Sequence, residues 1–211
     1  MLGPIGTGKS SFFNTINSTF QERIAKRSMS GSDISSMTKK YREYPIWSPR
    51  NDSELNFRLC DTCGIVVNGP PDLADLDQLV EGHVPDGYEF SEKLIDKNIK
   101  GFISNPALQD KVHCVAYVFA ANSLKTIDEI TWFKLNELQR RLHIRVKEAV
   151  DFVSQKLNVD PGDVMPIKNY ESESMVNNTI SSLAMQALDR MLGYASDYME
   201  NKHHLMQQTQ S

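Results

Sequence analysis

The eight residues from 3 to 10 constrain this chain more than any other feature of its sequence. They read Gly-Pro-Ile-Gly-Thr-Gly-Lys-Ser and satisfy every position of the phosphate-binding pattern G-x-x-x-x-G-K-[S/T]. Glycines let successive backbone N–H groups curve around phosphates at the positive end of the helix that follows. Lys9 is expected to contact the β- and γ-phosphates of a nucleotide, and the Ser10 hydroxyl is expected to bind Mg²⁺. The segment therefore predicts a nucleotide-holding loop that leads into a helix.

Alternating strand and helix signals along the chain predict an α/β fold. The expected class is a three-layer P-loop NTPase of the G-domain type, with a mainly parallel and incomplete sheet. Strands at 44–47 and 55–60 flank turn residues and predict a hairpin, and a continuous apolar run predicts a doubly covered strand at 113–121. A last short strand is predicted at 164–167. Helices are predicted directly after the glycine-rich segment and at 72–81, 135–142, 146–157 and 180–199.

Composition and charge exclude several classes of protein. Lysine and arginine total 23 against 27 aspartates and glutamates, which gives a formal net charge of −4, so direct binding of nucleic acid is not expected. Three cysteines do not make a disulfide framework and favour a reducing, cytoplasmic setting. No apolar run approaches the roughly 20 residues of a membrane span, and the first residues lack the apolar core of a signal peptide. A single domain is expected at residues 1–200, followed by a polar tail at 201–211.

A second segment, Asp61-Thr62-Cys63-Gly64, follows the second predicted strand. In P-loop proteins an acidic residue at this place reaches the metal, and the glycine N–H meets the γ-phosphate. Thr38 lies in the polar loop between the two segments, where a switch hydroxyl would close on Mg²⁺, although Ser35, Ser36 and a plain solvated loop fit equally well. The expected metal ligands are Ser10, Thr38 and Asp61. The expected nucleotide-binding residues are Gly3, Pro4, Ile5, Gly6, Thr7, Gly8, Lys9, Ser10, Ser11, Thr38, Asp61 and Gly64.

Three other features have a structural explanation that is simpler than a chemical one. The pair Cys60 and Cys63 has metal-ligand spacing, but no second Cys or His pair stands at zinc spacing, so core packing is expected. His113 next to Cys114 opens the predicted buried strand and is expected to be a hydrogen-bonded histidine at a strand edge. The basic run at residues 39–42 is expected to be a solvated charged segment.

Several segments along the chain carry a resemblance to a known family. The most specific are the Gly-Pro-Ile-Gly variant of the glycine-rich segment and the His-Cys-Val-Ala-Tyr run from residue 113. In these segments the chain resembles the interferon-induced protein 44 family, P-loop G-domain proteins of vertebrate innate immunity. The resemblance implies an interferon-inducible cytoplasmic protein that binds GTP and serves the antiviral response, and it implies no defined hydrolysis. It rests on residues 2–14, 31–34, 60–62, 88–90, 108–118, 169–172 and 188–192.

The chain departs from a complete G domain in three places. Only Met1 and Leu2 precede Gly3, so the central first strand is almost absent. The guanine-reading motif [N/T]-K-x-D occurs nowhere, and residues 142–146 join two predicted helices directly, as if a strand and loop were cut out. Ile65 follows Gly64 where small GTPases carry a water-orienting glutamine.

These departures shape the expected function. The cofactors expected are GTP and Mg²⁺, the partners expected are GTP or GDP and proteins that the sequence does not specify, and hydrolysis is expected to be slow or absent. Without the motif aspartate, a preference for GTP over ATP has no visible source, because base choice depends on hydrogen bonds to the purine edge. Two alternatives therefore remain: an ATP-binding P-loop protein, and a non-catalytic interaction protein that has lost nucleotide binding.

Overall fold

The computed structural model describes residues 1–25, 39–50, 52–66, 69–142, 160–165 and 167–208. These residues form an α/β structure. The strands are β1 (Arg42–Ser48) and β2 (Ser53–Asp61), and the helices are α1 (Lys9–Phe20), α2 (Leu73–Val80), α3 (Glu129–Leu142) and α4 (Asn178–Gln208). Three 3₁₀ turns lie at Leu108–Asp110, Ala121–Thr126 and Pro161–Asp163. No described helix is both long and apolar enough to cross a lipid bilayer.

The predicted hairpin is confirmed and is longer than its sequence signal. β1 and β2 pair antiparallel from Arg42 opposite Asp61 to Ser48 opposite Ser53, with an irregularity in register between Pro45 and Trp47. A proline lacks the N–H that a regular ladder needs, so an irregularity beside Pro45 is where the register is expected to shift. The hairpin delivers the Asp61 carboxylate to the end of a strand that is fixed along its length.

The prediction of a mainly parallel sheet is wrong for the described residues, in which the one sheet is this antiparallel hairpin. Parallel pairing occurs as two isolated bridges, Leu2 with Tyr117 and Pro4 with Ile65. The physical reason lies in the segment that joins both bridges. Pro4 has no N–H to donate to a ladder, and the pairing on either side of this segment is limited to single bridges.

The strands predicted at 113–121 and 164–167 are also wrong as strands. Residues 113–120 have a bridge at Tyr117 and no regular ladder, and residues 164, 165 and 167 have no strand assignment. The hydrogen bonds around the bridge are nevertheless short. Leu2 N donates to Ala116 O at 2.8 Å, and Val118 N donates to Leu2 O at 2.8 Å. Among the described residues, the 113–120 segment pairs through this single bridge, so it forms no regular strand.

Helix α2 begins and ends where the sequence predicts. Asp72 caps it, and Asp75 accepts from the Asp72 amide at 3.1 Å, which completes a capping box. The other Asp75 oxygen accepts from the Ile95 amide at 2.8 Å and ties the helix to the irregular segment after it. Gly82 then adopts φ +84°, the left-handed conformation that ends many helices. The predicted helix at 146–157 lies outside the described residues.

The extended residues 1–4 separate two hydrophobic clusters. Met1 belongs to one cluster and Leu2 to the other, as expected for neighbouring residues of an extended chain that is covered on both faces. The first, which we call the α1 cluster, packs α1 between the hairpin and α4, and its buried members are Met1, Phe12, Phe13, Ile16, Ile46, Leu59, Ala184, Ala187 and Leu188. The second, the α3 cluster, contains Leu2, Ile65, Leu76, Val115, Leu124, Trp132 and Leu135.

Candidate functional site

The glycine-rich loop, residues 3–10, occupies the turn between the extended N-terminal residues and α1. Gly8 has φ +95° and stands at the N-cap of α1, where no side chain caps the helix. The first turn of a helix offers its amides no internal acceptor, so this end is open to an anion. Gly6 has φ +73°, and a Cβ placed on it would meet nothing within 4 Å. The loop thus exposes backbone where a phosphate could approach closely.

The Lys9 side chain is buried within the glycine-rich loop. Its Nζ donates to Gly3 O at 3.1 Å and to Pro4 O at 3.0 Å, and the residue is 7% exposed. Burial lowers the pKa of the Lys9 ammonium from its ordinary value, and the negative charge of Asp61 opposes that shift. Thr7 Oγ1 also donates to Pro4 O, at 3.0 Å. The loop therefore holds a buried cation whose present partners are neutral carbonyls.

Ser10 and Asp61 meet at the first turn of α1. Ser10 Oγ donates to Asp61 Oδ2 at 2.5 Å, which joins two residues 51 positions apart in sequence. Asp61 is 1% exposed, and its Oδ1 has no hydrogen-bond partner among the residues that the structure describes. An unpartnered buried carboxylate oxygen is costly unless a cation or water satisfies it. A hydroxyl and a carboxylate oxygen are ligands that Mg²⁺ accepts, directly or through water, so this pair fits the ion.

The segment from Asp61 to Ile65 runs against the glycine-rich loop. Ile65 N donates to Gly3 O at 3.0 Å, and Thr62 Oγ1 donates to Met1 O at 3.0 Å. A Cβ on Gly64 would lie 2.4 Å from Ile5 Cγ1 and 2.7 Å from Ile5 Cα, so the two backbones touch at a place that only glycine fits. The structure therefore brings the residues predicted from the two motifs together. Ser11 lies on the first turn of α1, and Thr38 is outside the described residues.

Three polar residues beside the loop do not follow from motif reasoning. Asn169 Nδ2 donates to Gly8 O at 3.3 Å, and Asn169 Oδ1 lies 3.2 Å from Thr15 Oγ1. Thr15 is fully buried, and its Oγ1 accepts from the Tyr170 amide at 3.0 Å. More than 150 residues separate Asn169 from Gly8 and Thr15, and no spacing rule connects them. The one available signal is that residues 169–172 belong to the segments that resemble a known family.

The cysteines behave as core residues. Burial raises the pKa of the Cys63 thiol to about 12 and that of Cys114 to about 11, and it also raises the pKa of Cys60. All three are free thiols. Within the described part of the chain, no group of three or more His, Cys, Asp and Glu side chains is placed to hold a metal ion. His113 Nε2 is hydrogen bonded to Leu108 O at 2.9 Å, a partner expected of a structural histidine.

The basic run at 39–42 has partners of its own at the surface. Lys40 pairs with Glu89 at 3.3 Å and Arg42 with Asp86 at 3.4 Å, and all four side chains are about half exposed. Exposed pairs of this kind contribute at most about 1 kcal/mol each. The three basic residues of the run are solvated, as predicted, whereas Tyr41 between them is 4% exposed and packs in a hydrophobic cluster.

Comparison with known proteins finds relatives along almost the whole chain. Interferon-induced protein 44 of Pan troglodytes is 31% identical over 235 residues, which covers 95% of this chain and 52% of that protein. Interferon-induced protein 44 of Homo sapiens is 30% identical over 233 residues, with the same coverage of both chains. Interferon-induced protein 44-like of Homo sapiens is 29% identical over 234 residues, again covering 95% and 52%. No protein-family model and no solved structure matches the chain.

The lengths of these matches add one fact about the chain. The chain spans about half the length of the curated relatives it matches. The match to the chimpanzee protein extends over 235 residues, which is more than the 211 residues of the chain, so the relative has residues inside the matched region that this chain lacks. Sequence similarity over 95% of its residues places the chain in a family: it belongs to the interferon-induced protein 44 family.

Proposed function

We propose that this chain is a Mg²⁺-dependent GTP-binding protein of the interferon-induced response, with a P-loop at residues 3–10. The observation that carries the proposal is the contact of Ser10 Oγ with Asp61 Oδ2 at 2.5 Å, beside a second Asp61 oxygen that is buried without a partner. Residues of the two sequence motifs thus lie together at the start of α1. The interferon-induced setting comes from the names of the relatives, and the choice of GTP is what the resemblance of the sequence to this family implies.

Each residue of the site has a definite part in this proposal. The loop amides and the Lys9 ammonium would bind the phosphates, while Ser10 and Asp61 would hold Mg²⁺, which neutralises phosphate charge when bound. The Gly64 amide would meet the terminal phosphate, because Gly64 lies directly against Ile5 of the loop. Thr38 is proposed as the third metal ligand from the sequence alone.

Hydrolysis is proposed to be slow or absent. Ile65 follows Gly64, is 3% exposed and packs in the α3 cluster, so it offers no polar group that could orient a water molecule. A partner protein would have to supply such a group. We also propose a cytoplasmic location, on the basis of the free thiols.

The proposal is tested by thermal melts of the 211-residue chain with Mg²⁺ alone, with Mg²⁺–GTP and with Mg²⁺–ATP. Ligand at 100 times its Kd adds about 2.7 kcal/mol to the free energy of unfolding, which for a chain of this size raises Tm by roughly 5–10 °C. We expect GTP to raise the Tm of the wild-type chain and to leave that of Lys9→Ala unchanged. An equal rise with ATP would reduce the proposal to a phosphate site without base selectivity. No rise with either nucleotide would refute nucleotide binding and favour the non-catalytic alternative.

A further inference from the structure

Asn169 connects the C-terminal part of the chain to the proposed phosphate site. Its Nδ2 donates to Gly8 O at 3.3 Å, and a Cβ built on Gly8 would lie 2.9 Å from that same nitrogen. The half-buried side chain is therefore packed against the last glycine of the loop as well as hydrogen bonded to it. No side chain caps this end of α1, because its N-cap residue is glycine.

The Gly8 carbonyl controls the direction of the next amide. A trans peptide is planar, so the carbonyl of Gly8 and the N–H of Lys9 point in opposite directions. Gly8 O accepts from Phe12 N at 2.8 Å, the first hydrogen bond of α1, and from Asn169 Nδ2. With the carbonyl held along the helix, the Lys9 N–H points away from the helix, towards the loop. An anion bound by the loop requires this orientation.

Glycine itself gives little resistance to a rotation of this peptide. At φ +95° Gly8 occupies a region that glycine enters as readily as its mirror image, so its own backbone does not favour one orientation. The hydrogen bond from Phe12 restrains the peptide from inside the helix. Asn169 restrains it from outside, where the rest of the helix cannot contribute.

The Asn169 side chain is itself oriented by a buried polar network. Its Oδ1 lies 3.2 Å from Thr15 Oγ1, and that hydroxyl accepts from the Tyr170 amide at 3.0 Å. Further from the loop, the Tyr170 hydroxyl accepts from the Asn177 amide at 2.8 Å, just before α4 begins. Both polar atoms of the Asn169 amide thus have a partner within 3.3 Å, and Oδ1 shares the single proton of Thr15 Oγ1 with Ser11 O, which lies 2.9 Å from that hydroxyl.

We propose that Asn169 is a positioning residue of the phosphate site, which holds the peptide between Gly8 and Lys9 in the orientation that binds polyphosphate. This inference rests on the proposed function. Asn169 would act through the glycine-rich loop and would make no contact with the nucleotide base. Its effect is therefore the same for any ligand that carries a polyphosphate chain.

The test is titration calorimetry of Mg²⁺–GTP and of Mg²⁺–tripolyphosphate, which has no base, into the 211-residue chain and its variants. We expect Asn169→Ala to weaken both ligands by about 3–10-fold, the effect of one lost hydrogen bond. Tyr170→Phe is the matched control: it disturbs the same network on the α4 side, so we expect a lower Tm with both Kd values within twofold of wild type. Asn169→Leu, which preserves side-chain volume, replaces the alanine variant should that variant not melt cooperatively.

A spectroscopic measurement separates positioning from stability. In the nucleotide-free chain, the ¹⁵N–¹H signal of the Lys9 amide is expected to shift and broaden in Asn169→Ala and to remain in place in Tyr170→Phe. Kd values of Asn169→Ala within twofold of wild type, with an unchanged Lys9 signal, would overturn this inference and leave nucleotide binding intact. Failure of the wild-type chain to bind either ligand would overturn both proposals together.

Discussion

Gly64 illustrates how one residue can set the distance between two parts of the site. The nearest atoms to a Cβ at this position are backbone and Cγ1 atoms of Ile5 at 2.4–2.8 Å, and a backbone does not yield as a flexible side chain does. The D-x-x-G pattern predicts a glycine whose N–H contacts the γ-phosphate. The structure adds that the same glycine is required for the two segments to touch at all.

We expect Gly64→Ala to lower the free energy of unfolding by about 1–3 kcal/mol, because the loop and the 61–65 segment must move apart. Gly193→Ala is the matched control: it lies within α4 with nothing within 4 Å of its Cβ, so alanine there is expected to stabilise the chain by up to about 1 kcal/mol. Urea unfolding of both variants checks the two signs. Equal behaviour of the two variants would contradict the close contact at Gly64.

The lowered pKa of Lys9 makes the stability of the chain depend on pH. Burial lowers its pKa in the free protein, whereas an ordinary lysine in the unfolded chain keeps its proton up to about pH 10.4. Between those two pKa values the unfolded chain binds more protons than the folded one, so the contribution of Lys9 to the free energy of unfolding rises with pH across that window. A bound phosphate favours the ammonium and raises the pKa again.

We therefore expect binding of Mg²⁺–GTP to take up a proton at alkaline pH, and the affinity to fall as pH rises above the lowered pKa of Lys9. Calorimetry in two buffers of different ionisation enthalpy measures that uptake directly. Lys9→Arg is the control, because arginine stays charged throughout and its binding should show no such proton uptake. Identical proton uptake in the two proteins would assign the titration to another group.

The two sequence motifs identify residues that lie together where α1 begins and β2 ends. Ser10, Asp61 and Gly64 come from patterns whose chemistry fixes their spacing, and they lie around one point in the structure. Asn169 and Thr15 carry no such pattern. Their contact depends on where the chain returns after more than 150 residues, which local sequence does not encode.

At the scale of elements, α4 shows how far hydrophobic periodicity extends. The apolar stripe from Ile180 to Met199 predicts one buried face. Ile180, Ala184, Ala187 and Leu188 are buried, the latter three in the α1 cluster, while Met199 is 39% exposed. The hydrophobic periodicity of α4 predicts which face of the helix is buried. The packing against α1 decides how far along the helix that burial extends.

We expect Leu188→Ala to destabilise the chain by about 2–5 kcal/mol, because the side chain is 1% exposed and its loss leaves a cavity in the α1 cluster. Met199→Ala on the same helix is expected to change the free energy of unfolding by less than about 0.5 kcal/mol. Chemical denaturation of both variants makes the comparison. Similar losses in both would mean that the outer half of α4 is also packed.

Local signals predict the short-range elements well. The hairpin follows from turn residues between two β-rich runs, and α2 follows from an N-cap aspartate and a terminal glycine. The strand predicted at 113–121 does not form, because its pairing among the described residues is limited to one bridge. An apolar run is compatible with an extended segment, but a strand also needs a neighbour with consecutive amides and carbonyls to pair with.

At the scale of the whole molecule, residues 1–4 join parts that are distant in sequence. Leu2 bonds to Ala116 and Val118 on one side, and Gly3 accepts from Ile65 on the other. We expect the amides of Val118 and Ile65 to exchange with solvent as slowly as global unfolding permits, since both are bonded between the two clusters. The amide of Met175, in an exposed stretch before α4, should exchange far faster. Hydrogen exchange followed by NMR tests this, and rapid exchange at Val118 would mean that the bridge opens independently.

The two hydrophobic clusters also differ in their optical properties. The chain has two tryptophans, and one stands on each side of residues 1–4: Trp132, 2% exposed, is stacked on Phe119 in the α3 cluster, and Trp47, 38% exposed, lies on the hairpin that covers α1. Their fluorescence is therefore separable, because iodide reaches an exposed indole and not a buried one. Each half of the molecule thus reports its own unfolding without any added label. Coincident transitions at the two indoles would show that the α1 and α3 clusters unfold as one cooperative unit.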